Sequence, residues 1–310
     1  MINGTPLVSI VIPCYKAEKH LPTALSSISN QTHTNWEVLA INDCWEDSTE
    51  KIVLDFRQSH PRQIVKYIKH DENKGLGATR NTGMEAATGD FIAFLDHDDL
   101  WEPNHLTTAL NVLTKKKADI YYSAVSVFNA DGTGDRWIWG PTLEDLEQFP
   151  QSIFKRNFIQ PSAVVLTRIF MTKLGSMDTN PNIHFCEDHD YWIRAVNLNA
   201  KFVTTNDITA SYRYANPDAA TSKIPLMIEH DISVQKKHLE TNKFDNSIKH
   251  QAISANYRRL SDFFWRSNHF KSLWYLLQSV YWHPNNLANL KQLMKGLVYW
   301  PLLRLKLKGT

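Results

Sequence analysis

Short β-rich apolar runs alternate with amphipathic stretches through the first third of the chain. Leu7-Val8-Ser9-Ile10-Val11-Ile12-Pro13 reads as a first strand, stopped by Pro13. A helix follows with Leu21, Leu25 and Ile28 on one face, ended by Asn30-Gln31-Thr32. Trp36 to Ile41 is a second strand, leading to Asn42-Asp43. Asp47-Ser48-Thr49 then caps a helix carrying Ile52, Val53 and Phe56. Ile64 to Ile68 is a third strand. Strands and helices alternating at this short spacing predict an α/β fold with a doubly wound, largely parallel sheet.

The run Phe91-Ile92-Ala93-Phe94-Leu95 is bounded by Gly89-Asp90 and by Asp96-His97-Asp98-Asp99, and it reads as a buried strand. In an open sheet of this kind ligands bind beyond the carboxyl ends of the strands, where this one delivers its three carboxylates. Crowded carboxylates repel each other unless a cation sits among them. Hard oxygen donors suit Mg²⁺ or Mn²⁺, which take one or two carboxylates and complete their shell with phosphate oxygens. The pattern predicts a metal–diphosphate site at Asp96 and Asp98. The plainer alternative is a solvated acidic loop before the helix that starts near Glu102-Pro103.

Just upstream, Asn73-Lys74-Gly75-Leu76-Gly77-Ala78-Thr79-Arg80 places two glycines before a helix, which permits close backbone approach to a ligand. It follows the third strand, so it is not a dinucleotide fingerprint, and it lacks the Gly-Lys-Ser/Thr end of a phosphate-cradling loop. Arg80 is positioned to pair with donor phosphate or with the acids of the next strand. Glu102 to Lys117 predicts a helix and Asp119 to Phe128 a single further strand. Asp131 to Pro150 is loop-rich, and its Trp137 and Trp139 suit either stacking on a sugar ring or lid packing. Ser162 to Thr167 returns to strand, and Glu187-Asp188-His189-Asp190 opens a helix. Carboxylates at a helix start stay ionised in the field of its dipole, as a general base must.

From Ile224 onward the pattern is helical: Ile224 to Thr241, Ile248 to Ser267, Lys271 to Tyr281 and Leu287 to Leu307. The net charge of +2 conceals an asymmetry that this tail creates. After Asp262 there are seven bases and no acid, leaving 27 of the 34 bases against 32 acids in the remainder. Leu287, Leu290, Met294, Leu297 and Val298 interleaved with Lys291 and Lys295 suit an interfacial helix on an anionic membrane. They equally suit a helix docked on the main domain or, in a homodimer, on a second subunit. The main domain is acidic, which argues against nucleic acid as a partner.

Composition is otherwise that of a globular protein, 43% hydrophobic and 21% charged over 310 residues. Cys14, Cys44 and Cys186 lie too far apart for a disulfide framework or a zinc site, which fits a reducing compartment. The opening Met1 to Pro6 lacks the pattern of a signal peptide, and no run nears the ~20 apolar residues of a membrane span. The expectation is a cytoplasmic protein, with peripheral contact to the inner face of the membrane through the tail.

Taken together, five segments resemble family-2 glycosyltransferases, the inverting group with the GT-A nucleotide-sugar fold. Val8 to Lys16 resembles the opening strand, with Pro13 and Tyr15 matching and Lys16 in place of the usual Asn. Asn42-Asp43-Cys44-Trp45-Glu46-Asp47 resembles the Asp-Asp-Gly-Ser-Thr-Asp segment, with Asn42 for the first Asp and Cys44-Trp45 for Gly-Ser. Asn73-Lys74-Gly75 with Ala78-Thr79-Arg80-Asn81-Thr82-Gly83, then Asp96-His97-Asp98, then Glu187-Asp188 complete the series. The likeness spans about Val8 to Ser222, which sets a catalytic domain over 1–222 and a helical extension over 223–310.

The resemblance implies roles. Pro13, Tyr15, Glu18, Asp43, Lys74, Gly75, Arg80, Asp96, His97 and Arg213 would bind the nucleotide sugar, with Tyr15, Glu18 and Asp43 on the uracil and ribose. Asp98, with Asp96 beside it, would hold Mg²⁺ or Mn²⁺, and Asp188 would take the proton from the acceptor hydroxyl. Tyr212-Arg213-Tyr214 to Ser222 resembles the loop that closes over the diphosphate; its usual His is missing, and Asn216 lies nearby. No Gln-x-x-Arg-Trp segment follows the base, which implies addition of one sugar per encounter. The donor implied is UDP-linked and the acceptor a glycan, lipid-linked, in cell-surface polysaccharide synthesis. Two alternatives compete: a sugar nucleotidyltransferase, which would carry a basic glycine-rich loop after the first strand, and a catalytically inactive binding module, against which Asp96, Asp98 and Asp188 argue.

Overall fold

The computed structural model describes residues 4–129, 136–214 and 223–307. The chain divides into two compact units, Met1–Glu147 with Asn157–Ser222 and Gln148–Arg156 with Lys223–Thr310. The short segment Gln148–Arg156 therefore groups with the tail rather than with the residues on either side of it.

The first unit opens with β1 (Val8–Cys14), α1 (Leu21–Ser29), β2 (Trp36–Asn42), α2 (Thr49–Ser59), β3 (Ile64–Lys69), α3 (Leu76–Ala86) and β4 (Phe91–Phe94). It continues with β5 (Leu100–Trp101), α4 (His105–Lys116), β6 (Ile120–Tyr122), β7 (Val125–Asn129), β8 (Trp137–Trp139) and α5 (Leu143–Glu147). After α6 (Gln151–Lys155) of the second unit come β9 (Val164–Thr167), α7 (Arg168–Leu174), α8 (Glu187–Asn197), β10 (Phe202–Thr204) and β11 (Ala210–Tyr214).

A seven-stranded sheet runs in the order β10-β6-β9-β4-β1-β2-β3. β1 is parallel to both β2 and β4, with Val8 opposite Trp36 on one side and Phe91 on the other. β9 lies antiparallel to β4 and β6, so the sheet is mixed. Every residue of β1, β2 and β4 is buried, which is why these segments read as unbroken apolar runs rather than alternating ones. A second sheet, β5-β11-β7-β8, stands beside the carboxyl end of β4 in the chain.

Pro13 does not stop the first strand: it pairs with Ile41, and Cys14 pairs with Asn42. The Val11 carbonyl, two residues earlier and on the same side, receives the Leu95 N–H just past β4. Pro13 therefore faces outward beyond the end of β4, where a missing N–H costs no ladder bond. The single strand expected over Asp119 to Phe128 is two, β6 and β7, which belong to different sheets. The chain changes sheet at Ser123-Ala124, an event that leaves no mark in an apolar pattern. The helix expected from Glu102 starts at His105, because Leu100-Trp101 pairs with β11 and Glu102 N–H donates to Thr209.

Gly83 sets the approach of α3 to the sheet. A Cβ there would stand 2.3 Å from Val11 Cγ1, so only glycine lets α3 lie on β1 at this distance. Arg80, nearly one turn earlier on α3, is thereby held close to the carboxylates that follow β4.

The second unit comprises α6, α9 (Ile224–Lys237), α10 (Asn246–Phe264), α11 (His269–Trp282) and α12 (Leu287–Leu307). Ile228, Ile232, Ile253, Tyr257, Leu260 and Tyr275 form its core. Among the described residues, no helix is long and apolar enough to cross a membrane.

Candidate active site

The site is built around a buried guanidinium. Arg80 on α3 is 2% exposed, yet it carries a full charge that must be met inside the protein. One terminal nitrogen donates to Asp96, at 2.9 and 3.2 Å to its two oxygens. The other donates to Glu187 Oε1 at 3.0 Å. Of the two partners the sequence offered, phosphate or the acids of the next strand, the structure has the second. A Cβ on Gly77 would meet Glu187 Cγ at 3.2 Å, so glycine here lets α3 and the start of α8 come together.

Glu187 is buried and its Oε2 has no hydrogen-bond partner. Burial pushes its carboxyl up to about 7, with Asp188 adding to the rise and Arg80 opposing it. Asp188 is next on the same first turn of α8. Its Oδ2 accepts from Asn157 Nδ2 and its Oδ1 from the His189 amide, each at 2.8 Å. Burial raises the Asp188 carboxyl, while Arg80 and the Asn157 bond pull it back. Burial thus makes this carboxylate a stronger proton acceptor than an ordinary one. Neither Asn157 nor the unpaired edge of Glu187 carries a signal in the sequence.

The three acids after β4 do not crowd one cation. Asp96 goes to Arg80, and its amide donates to Ser162 Oγ at 3.0 Å. Asp99 turns inward, fully buried, and accepts from Ser162 Oγ at 2.6 Å and from the Arg213 amide at 2.9 Å. Burial first, then Asp98 and Asp96, hold the Asp99 carboxyl well above its ordinary value. Asp99 is thus a structural tie between β4 and β11. Asp98 keeps a partly exposed side chain, and its carbonyl accepts from Arg213 Nε at 2.9 Å.

His97 Nδ1 lies 3.1 Å from the Pro13 carbonyl, so that nitrogen carries a proton and ties β1 to the acidic loop. His20, which the sequence did not single out, belongs to this neighbourhood. Burial, Arg213, Lys19 and His97 lower its imidazole and Asp98 raises it. Arg213 stacks its guanidinium 4.5 Å from the centre of the Phe128 ring. The remainder of the expected closing loop, including Asn216 and Ser222, lies outside the described residues.

The loops expected to hold the nucleobase are organised by the departures noted in the sequence. Asn42 Nδ2 donates to the Trp45 carbonyl and its Oδ1 accepts the Trp45 amide, both at 2.9 Å. An aspartate could make only the second bond, so Asn42 closes this turn on both edges. Cys44 has φ +55°, the left-handed conformation that glycine adopts freely, and Lys16 has φ +53°, which asparagine tolerates better than lysine. These strained positions bring Trp45 and Tyr15 to 5.0 Å between ring centres, with Lys16 Nζ 5.0 Å from the Trp45 ring centre. Tyr15 remains 39% exposed.

Glu18 and Asp47 brace the same loops, Glu18 accepting the Ser48 amide at 3.2 Å and its own amide donating to Asp47 at 3.3 Å. Asp43 is turned inward. It accepts the Lys74 and Gly75 amides at 2.8 Å each and lies 2.8 Å from His70 Nδ1. Its carboxylate therefore fixes the Lys74-Gly75 backbone, and any ligand contact must use the acceptor capacity left over. Gly75 has φ +84° at the start of α3. Of the two tryptophans considered for sugar stacking, Trp139 packs on the core, while Trp137 is 42% exposed and edge-on to Tyr214.

Among the described residues, no three His, Cys, Asp or Glu side chains are grouped to enclose a metal ion. The donor set fits a hard cation that takes one carboxylate and draws the rest of its shell from a diphosphate. Asp98 is the better ligand of the expected pair, since both Asp96 oxygens already face Arg80.

Comparison with known proteins places this geometry. The family model described as "Glycosyl transferase family 2" matches residues 9–189. A putative teichuronic acid biosynthesis glycosyltransferase, TuaG of Bacillus subtilis, is 29% identical over 227 residues, 72% of this chain and 85% of that protein. WfgD of Escherichia coli, a UDP-Glc:α-D-GlcNAc-diphosphoundecaprenol β-1,3-glucosyltransferase, is 28% identical over 70% of this chain and 81% of its own. Among solved structures, the mannosyltransferase PcManGT of Pyrobaculum calidifontis, in complex with GDP-Man and Mn²⁺, superposes with a TM-score of 0.63 at 15% identity. That likeness covers 96% of this chain and 81% of the other, and the shared architecture is the GT-A fold.

Proposed function

The chain belongs to glycosyl transferase family 2, and from that premise we propose that it moves one sugar from a UDP-linked donor to a hydroxyl of a lipid-linked glycan, with inversion, during cell-surface polysaccharide synthesis. The observation that carries the reading is the Arg80 bridge, which ties the acids after β4 to the helix that bears Asp188. UDP and a lipid diphosphate acceptor are supported by the likeness to WfgD, and the polysaccharide setting by TuaG as well. Membership of this family sets the nucleotidyltransferase alternative aside.

In this reading Asp188 accepts the proton of the acceptor hydroxyl as its oxygen attacks the anomeric carbon. The bond to the diphosphate breaks on the opposite face, so one displacement inverts the linkage. The base contributes roughly 10²–10⁴-fold. Asn157 and the His189 amide aim the Asp188 oxygens. Arg80 holds Asp96 where it meets the ribose side of the donor, and Tyr15 with Trp45 forms the wall for the base. A divalent ion on Asp98 would supply positive charge to the departing diphosphate. Arg213, whose Nε donates to the Asp98 carbonyl, would join it in meeting that charge.

The test is a donor screen across UDP-, GDP- and dTDP-sugars, with nucleotide release as readout, followed by transfer to a lipid diphosphate sugar. UDP-sugar turnover stimulated by the acceptor is expected. Turnover of GDP-sugars alone would overturn the donor assignment, and no turnover of any donor would leave the inactive binding module.

A further inference from the structure

One helix of the helical unit carries a stripe of large apolar side chains on its outside. On α11, Phe270, Trp274, Leu277 and Tyr281 are 74, 49, 50 and 75% exposed. Their spacing of four, three and four residues puts them on one face of the helix. The opposite, buried face carries Ser272, Tyr275, Leu276 and Ser279. Ser272 and Ser279 are fully buried against Ser261 and Ser254 of α10. Ser279 Oγ donates to the Ser254 carbonyl at 2.8 Å, Ser254 Oγ to the Ser279 carbonyl at 2.7 Å, and Ser272 Oγ to the Ser261 carbonyl at 2.8 Å. The helix is thus packed on its inner face and leaves four large apolar side chains on its outer one, where a water-facing helix is ordinarily polar.

The charges carried by α11 and α12 themselves have one sign. Neither α11 nor α12 contains an acid, and Lys271, Lys291 and Lys295 are exposed. α12 lies close on α11 at Gly296, where a Cβ would stand 2.5 Å from Leu273 Cδ2. Its own exposed residues include Leu287 and Met294 beside those lysines. The sequence pointed to α12 as the interfacial helix; the exposed aromatic stripe is on α11.

We propose that the outer face of α11, Phe270-Trp274-Leu277-Tyr281 with Lys271, is a docking surface for an anionic lipid bilayer. Trp, Tyr and Phe favour the headgroup boundary, and nearby lysines are drawn to a negatively charged leaflet. The charge decides between occupants: a second copy would bring the same bases against these, whereas anionic headgroups complement them. The proposal does not depend on which sugar or acceptor the site uses.

Flotation of the full-length protein with vesicles tests it. Binding is expected to phosphatidylcholine vesicles containing phosphatidylglycerol, to weaken with added salt, and to be much lower on phosphatidylcholine alone. Replacing both Phe270→Ser and Trp274→Ser should lower partitioning about tenfold or more. Lys271→Ala should lower it about fivefold. All three are surface positions, so nucleotide release from the donor in vesicle-free buffer should not change, which separates this result from failure of the transferase reading. Protein that ignores anionic vesicles, or variants that bind as well as the parent, would overturn the proposal. So would a dimer, seen by sedimentation, that these substitutions disperse without any vesicle binding.

Discussion

Arg80 reaches Glu187 across 107 residues of sequence, its terminal nitrogen 3.0 Å from Glu187 Oε1, with both side chains buried. The same guanidinium holds Asp96. Two separate motifs, the acids after β4 and the pair that opens α8, are thereby tied through one side chain. A buried charge with two carboxylate partners is costly to disturb from any side.

Arg80→Met should destabilise the protein by about 3–5 kcal/mol, because it leaves Asp96 and Glu187 without their cation. Arg80→Lys keeps the charge but cannot serve two carboxylates with one planar fork. It should lose less stability in urea unfolding and still lower kcat. A lysine variant with parental kcat would show that the bridge is not needed for catalysis.

Glu187 makes stability depend on pH. Its folded carboxyl, at about 7, lies above the ordinary 4.5, so the folded state binds the proton that the unfolded state has lost. Its contribution is complete below about 4.5 and falls away as pH rises through about 7. Glu187→Gln removes that loss, so the Tm of the variant relative to the parent should climb across this window. A Tm difference that is flat from pH 4 to pH 8 would contradict the burial argument.

Asn157 stabilises the charged form of Asp188 through a 2.8 Å bond. Asn157→Ala should move the acid limb of the kcat/KM profile to higher pH and lower kcat, with the KM for donor little changed. An unmoved limb would mean that the bond orients nothing during turnover.

Asp98→Ala should abolish or strongly reduce transfer, and the parent enzyme should lose activity in excess chelator and recover it with Mn²⁺ or Mg²⁺. Activity that persists in chelator would remove the metal from the account.

The alternation of apolar runs and helical faces made the order of β1 to β4 legible, because strands buried on both sides keep no polar positions. The motif residues identified their loops as well. Partnership was not legible. The sequence assigned a cation to Asp96 and Asp98 without showing that Asp96 answers Arg80 or that Asp99 answers Ser162 and β11. Asp99 finds its partners in Ser162 and the Arg213 amide, far downstream and not visible locally. Asn157 is a lone amide in a connecting segment, and only the fold puts it on Asp188. Asn42 was visible as a departure, while its reason, the two-edged bond to Trp45, needed the structure.

The most direct measurement is the transfer rate of Asp188→Asn at saturating acceptor, beside its affinity for the donor nucleotide. The account predicts a loss of roughly 10²–10⁴-fold in kcat with donor binding retained. Turnover near that of the parent enzyme would contradict it, since the side chain 2.8 Å from Asn157 could then not be the base.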